Sequence, residues 1–237
     1  MVEDRRIPLI SFTGSTRVGK IVKQKVDERF GKTLLELGGN NSTIIMEDAN
    51  LEMAFKACTF AAVGTCGQRC TTLRRLYIHS KHYDSFVEKL VKAYKTVKIG
   101  DPMNQETLCG PLHSKMSIDI YEKCIEKVKE SGCKILCGGK KCDMKGNFVE
   151  PTICEVPNDS PITMEEYFCP ILFVSKFETF EEAVALNNRV PQGLSSSLFT
   201  QNIANVFKWT GPLGSDCGIV NVNIGNSGAE IGGAFGG

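Results

Sequence analysis

The chain has 237 residues, with 28 basic and 27 acidic side chains, 42% hydrophobic residues and 23 glycines. That length suits one large domain or two small ones with ample core, and the near-balance of charge argues against a protein that neutralises many nucleic-acid phosphates. The apolar and charged fractions exclude a disordered chain, and no apolar run approaches the roughly 18 residues of a membrane span. The expected partners therefore include neither nucleic acid nor membrane.

In chain order, Ile7 to Phe12 reads as a short buried strand and Gly14 to Gly19 as a loop. Val18, Ile21, Val22, Val26 and Phe30 then recur at helical spacing. Leu34 to Gly39 and Ser42 to Met46 read as two strands with a Gly-Gly break between them. Asp48-Ala-Asn50 leads into an apolar helix, Ala54 to Val63, and Arg75 to Ile78 is a strand. Tyr83, Phe86, Val87, Leu90, Val91 and Tyr94 mark one amphipathic helix, and Ile120, Tyr121, Cys124, Ile125 and Val128 another. A strand at Ile135 to Cys137 stops at Gly138-Gly139. Further strands are expected at 152–155, 171–177, 196–200 and 218–222, with helices near 180–188 and 202–209. This alternation predicts an α/β fold with a largely parallel sheet.

Eleven cysteines is a high and odd number, but there is no CxxC pair. Cys133, Cys137 and Cys142 are close in sequence while His79, His82 and His113 are distant, so no metal site is expected. Reduced thiols packed as small apolar groups in a cytoplasmic compartment are the simpler reading, with a mitochondrial one open if a targeting segment precedes residue 1.

Gly14-Ser-Thr-Arg-Val-Gly19-Lys20 follows a strand and opens a helix, which is the setting of a phosphate-binding loop. The next residue is Ile21, where a P-loop needs a hydroxyl for its metal. The loop therefore suits an anion held by backbone N–H groups, or is an ordinary strand–helix turn.

Gly64-Thr-Cys-Gly67-Gln68-Arg69-Cys70 puts a cysteine after a glycine turn and beside an arginine. A cysteine attacks as its thiolate, which nearby positive charge and oriented N–H groups favour, so Cys70 is either a nucleophile or a buried thiol. Glu36 lies between two leucines ahead of Gly38-Gly39. It is either a general base held in partly apolar surroundings or an edge-strand residue turned to solvent. Glu165-Glu166-Tyr167-Phe168-Cys169-Pro170 alone reads as a loop before a strand.

Together these stretches resemble the aldehyde dehydrogenase superfamily. Phe12-Thr-Gly-Ser15 is similar to its cofactor-phosphate loop, Glu36-Leu-Gly-Gly39 to its general-base motif, Gly67-Gln-Arg-Cys70 to its nucleophile motif, and Glu166-Tyr-Phe168-Cys-Pro170 to its E-x-F-x-P motif. Four such motifs in family order are specific. Gln68-Arg-Cys-Thr-Thr72, Gly193-Leu-Ser-Ser-Ser197, Gly214 to Asn223 and Ser227 to Gly237 further resemble the antiquitin branch, the α-aminoadipic semialdehyde dehydrogenases.

The resemblance implies a partial Rossmann-type NAD-binding domain over 1–38 and an α/β catalytic domain over 39–237. It implies Cys70 as nucleophile and Glu36 as base. Gly14, Ser15, Leu37, Glu166 and Phe168 would contact NAD, or NADP. Arg69, Gly228 and Ala229 would hold a small-molecule aldehyde substrate, Gly228-Ala229 being otherwise a plain tight turn. Full-length relatives would be homo-oligomers. The family's first nucleotide-binding strands have no counterpart ahead of residue 1, which leaves open an inactive remnant without NAD binding, acting at most as a binding protein or weak thiol esterase. Cys66, where the branch carries a small residue, lies four before Cys70. On a continuous helix the two thiols would share a face and suit reversible oxidation.

Overall fold

A computed structural model describes residues 1–228. The chain divides into two units, Met1–Gly39 and the part from Asn40 onward.

In the first unit, β1 (Leu9–Thr13) leads to α1 (Thr16–Asp27) and then to β2 (Lys32–Glu36). β1 and β2 pair in parallel, with Thr13 opposite Glu36. Ile10, Val22 and Val26 form a small core over which Ile7, Phe12, Val18 and Leu35 pack. The helix begins earlier than the loop expected at 14–19. Ser15 caps it, its Oγ accepting the Val18 N–H at 3.3 Å, so only Gly14 and Ser15 remain between strand and helix. Phe30, expected on the helix's apolar stripe, instead follows its end. It turns with φ 60° and is 96% exposed.

Among the described residues, the second unit is a seven-stranded sheet with helices on both faces. Its strands are β3 (Asn41–Ile45), β4 (Leu73–His79), β5 (Lys134–Cys137), β6 (Thr152–Glu155), β7 (Ile171–Phe177), β8 (Ser195–Phe199) and β9 (Ile219–Val222), in spatial order β5-β6-β7-β4-β3-β8-β9. All neighbours pair in parallel except β5 with β6. The helices are α2 (Leu51–Val63), α3 (Ser80–Tyr94), α4 (Lys115–Glu130), α5 (Phe180–Asn188) and α6 (Ile203–Thr210). Asn50, Ser114, Thr179 and Asn202 cap α2, α4, α5 and α6, each side chain accepting a first-turn N–H.

Alternation along the central strands sets the layers, because successive side chains leave opposite faces. Ile45, Leu76 and Ile78 pack with Cys58, Ala61, Phe86, Leu90 and Tyr121 of α2, α3 and α4. Ile44 and Tyr77 pack with Ala183, Leu186 and Trp209 of α5 and α6. The expected α/β fold with a largely parallel sheet is the fold observed.

Parallel pairing has a consequence for the site. The starts of β3, β4, β7 and β8 lie along one edge of the sheet, so the segments entering those strands converge there. These are Asn40–Asn41, Gly64–Thr72, Glu165–Pro170 and the residues before Ser195. Open α/β sheets more often bind ligands at the carboxyl ends of their strands.

Candidate active site

In the first unit the structure joins two of the sequence motifs. The Gly14 N–H donates to the Glu36 carbonyl at 3.0 Å, so the loop after β1 is stitched to the end of β2. Leu37 lies against α1 at Gly19, where an added Cβ would come 2.4 Å from the Leu37 Cδ2. Glycine there lets the strand end approach the helix. The first turn of α1 holds no acidic residue, and Arg17 and Lys20 flank it. A helix N-terminus with that charge pattern fits an anionic group such as a diphosphate. Glu36 is half-buried.

In the second unit the nucleophile candidate sits in a strained turn. α2 ends at Val63, and Thr65, Cys66 and Gly67 then take left-handed φ of 53°, 54° and 66°. Such φ is costly for Thr and Cys, and recurs where a fixed turn serves a site. An added Cβ on Gly67 would lie 2.5 Å from the backbone carbon and oxygen of Cys169. Only glycine lets this loop pack directly on the 166–170 segment.

This geometry corrects the reading of Cys66. The segment is not a continuous helix, so Cys66 and Cys70 do not share a helical face. Cys66 is buried, and a hydrogen bond with Cys109 together with burial pushes its thiol far up from the usual range.

Cys70 itself is half-buried and free. The buried Asn41 donates through Nδ2 to the carbonyls of Cys70 at 2.7 Å and Thr72 at 2.8 Å, and its Oδ1 accepts the Ser195 N–H at 3.1 Å. Arg69 and Thr72 close a turn: the Arg69 N–H donates to Thr72 Oγ1, and the Thr72 N–H to the Arg69 carbonyl, each at 3.1 Å. The Arg69 guanidinium stacks over Phe60, 5.0 Å from the ring centre.

Arg74 is the residue that sequence reading missed. The strand expected at Arg75 to Ile78 starts at Leu73, and Arg74 lies inside it, 1% exposed. Its Nη1 donates to the carbonyls of Gly67, at 3.3 Å, and Tyr167. Its Nη2 donates to the Arg69 carbonyl at 3.1 Å and to Glu166 Oε1 at 3.4 Å. The guanidinium also lies 5.2 Å from the Phe168 ring centre. Burial pushes its pKa down, while Glu166 pulls it back up. The available signal was Arg74-Arg75 at the head of an apolar strand, since a buried guanidinium must find acceptors. Arg75 finds the carbonyls of Asn40, Leu186 and Asn187.

Through Arg74 the structure brings Cys70's loop, Glu166 and Phe168 together. Gly228 lies in a turn where its N–H donates to the Gly225 carbonyl at 2.9 Å and its carbonyl accepts Asn221 Nδ2 at 2.7 Å. Ala229 falls outside the described residues. Among the described residues, no three His, Cys, Asp or Glu side chains cluster as metal ligands, and no helix is long and apolar enough to cross a membrane.

Comparison with known proteins follows the same lines. The family profile described as "Aldehyde dehydrogenase family" matches residues 1–237. The chain is 60% identical over 237 residues to aldehyde dehydrogenase family 7 member B4 of Arabidopsis thaliana, covering all of this chain and 47% of that protein. It is 53% identical over 238 residues to the α-aminoadipic semialdehyde dehydrogenase of Rattus norvegicus, covering all of this chain and 44% of that one. Among solved structures, PnpE from Pseudomonas sp. WBC-3 superposes with a TM-score of 0.93 at 35% identity, over all of this chain and 49% of that one. An NAD+ complex of an aldehyde dehydrogenase from Bacillus cereus gives 0.89 at 35% identity, over 94% of this chain and 45% of that one. The chain thus spans about half the length of the curated relatives it matches.

Proposed function

Because this chain belongs to the aldehyde dehydrogenase family, we propose that it carries the nucleophile and the base of an NAD-dependent aldehyde oxidation, with an amino-acid semialdehyde of the α-aminoadipic type as substrate. The similarity to the rat α-aminoadipic semialdehyde dehydrogenase supports the substrate class, and the similarity to the Bacillus cereus NAD+ complex supports the cofactor. Identities of 52–60% to family 7 relatives favour the enzyme over an inactive remnant.

The observation that carries the reading is the state of Cys70. The residue is half-buried and forms no disulfide, its loop is fixed by two buried side chains, and its own N–H donates to no atom among the described residues. That is an attacking group next to an unspent donor. The Cys70 thiolate adds to the aldehyde carbon, forming a C–S bond and a tetrahedral alkoxide. The Cys70 N–H stabilises that oxyanion as charge develops. NAD+, when bound, supplies the hydride acceptor that takes this adduct to a thioester. Glu36 then removes a proton from water, which attacks the thioester carbonyl. The C–S bond breaks, and carboxylate and free thiol return.

Residues 1–38 form the nucleotide-binding part in this reading, and 39–237 the catalytic part. Gly14, Ser15 and Leu37 hold the cofactor from the α1 end, Ser15 and its neighbours meeting phosphate. Glu166 and Phe168 hold its nicotinamide end. Arg69, Gly228 and Ala229 contact the substrate's amino-acid head, where a zwitterion calls for both donors and acceptors. Calorimetric titration of the chain with NAD+, followed by NADH absorbance on adding α-aminoadipic semialdehyde, tests the reading. Binding and reduction support it, and absence of both removes it.

A further inference from the structure

The two peptide planes that meet at the Cys70 Cα are each held by a buried side chain. The plane after it ends in the Cys70 carbonyl, held by Asn41 at 2.7 Å. The plane before it contains the Arg69 carbonyl and the Cys70 N–H. No peptide bond among the described residues is cis, so these two groups point in opposite directions across one rigid plane. Whatever holds the Arg69 carbonyl therefore aims the Cys70 N–H. Two donors do so: the Thr72 N–H, within the turn, and Arg74 Nη2, from inside the sheet.

We propose that Arg74 is a positioning residue. It aims the Cys70 N–H as oxyanion donor by gripping the Arg69 carbonyl at the other end of the same peptide plane, and it ties that aim to Glu166. The inference rests on Cys70 being the nucleophile, as read above. Arg74 touches neither thiol nor substrate in this account. Its guanidinium is planar, so Gly67, Arg69, Tyr167 and Glu166 are held by one rigid fork. A shift of Glu166 moves the fork, and the fork moves the N–H. The carboxylate assigned to the cofactor and the donor assigned to the oxyanion are thereby coupled through a single buried group.

This coupling makes a prediction that a purely structural arginine does not. Two reactions of the same thiol separate aim from integrity. Acylation by p-nitrophenyl acetate passes through a tetrahedral oxyanion, and alkylation by iodoacetamide does not. Both are run without NAD+. In Arg74→Lys, acylation of Cys70 falls by about 10–100-fold while alkylation changes by less than about threefold, since a misaimed donor penalises only the oxyanion. Glu166→Gln keeps the guanidinium and the fold. It slows acylation by about 3–10-fold although no cofactor is present, because it loosens one arm of the fork.

Equal slowing of both reactions in Arg74→Lys overturns the proposal and makes Arg74 a structural tie. Unchanged acylation in Glu166→Gln overturns the coupling, even if Arg74→Lys cannot be obtained folded. A wild-type ester burst that survives Cys70→Ala is a different failure. It removes the nucleophile reading first, and this inference with it.

Discussion

Asn41 Nδ2 stands 2.7 Å from the Cys70 carbonyl oxygen, and the same nitrogen serves the Thr72 carbonyl while Oδ1 takes the Ser195 N–H. One buried amide thus fixes the thiol's loop to the start of β8. Asn41→Ala leaves these three backbone groups, two of them in buried residues, without that partner. It is expected to lower stability by about 2–4 kcal/mol. Urea unfolding checks this, and a midpoint equal to wild type would refute the clamp.

Gly67 and Gly132 form a matched pair. Their φ values are 66° and 68°, but an added Cβ meets the Cys169 backbone at 2.5 Å in one case and nothing within 4 Å in the other. Both alanine variants carry the left-handed penalty of about 1–2 kcal/mol. Only Gly67→Ala adds a clash with backbone, so it is expected to cost at least about 1 kcal/mol more. It should also slow labelling of Cys70. Equal unfolding free energies for the two variants would show that the close approach has no energetic weight.

Gly19→Ala tests the contact between α1 and Leu37. The new Cβ would lie 2.4 Å from the Leu37 Cδ2, the end of a flexible side chain that can turn aside. Alanine's helix preference of about 1 kcal/mol offsets the strain, so stability changes little. If Leu37 contacts the cofactor, NAD+ affinity drops several-fold with stability intact. Unchanged NAD+ binding in calorimetry counts against that role.

Alkaline pH should destabilise the fold. Burial pushes the thiols of Cys154 and Cys169 up to about 12 from an ordinary value of 9.0. Above pH 9 the unfolded chain releases protons that the native state still binds. By linkage, stability is full below that pH and falls as pH rises toward 12. Cys154→Ala should flatten the slope of unfolding free energy against pH over this interval. A slope identical to wild type would rule out this thiol as a source.

Most of the secondary structure was legible because hydrophobic period and caps agreed. β7 at 171–177 and the Asn50 entry to α2 follow directly from pattern. Phe30 misled because its apolar side chain continued the helical spacing one turn past the C-terminus of α1. The left-handed Thr65 and Cys66 had no signal, since neither residue type favours that region and tertiary packing imposes it. The candidate site residues were legible as motifs, but the groups that hold them were not. Arg74 and Asn41 each fall one residue ahead of a strand expected from pattern, Arg75 to Ile78 and Ser42 to Met46. Their partners, Glu166 and Ser195, lie 92 and 154 residues away. Such pairings come from the parallel strand order, which no local pattern states.

In the proposed reaction Cys70 forms the acyl-enzyme and Glu36 directs its hydrolysis. The direct measurement is intact-protein mass spectrometry after quenching the chain with α-aminoadipic semialdehyde and NAD+. Glu36→Gln should accumulate one acyl group, mapped by peptide analysis to Cys70. Wild type should return to its unmodified mass, and Cys70→Ala should never gain the group. Steady turnover by Glu36→Gln without a trapped thioester, or an acyl group on any other cysteine, would contradict the account.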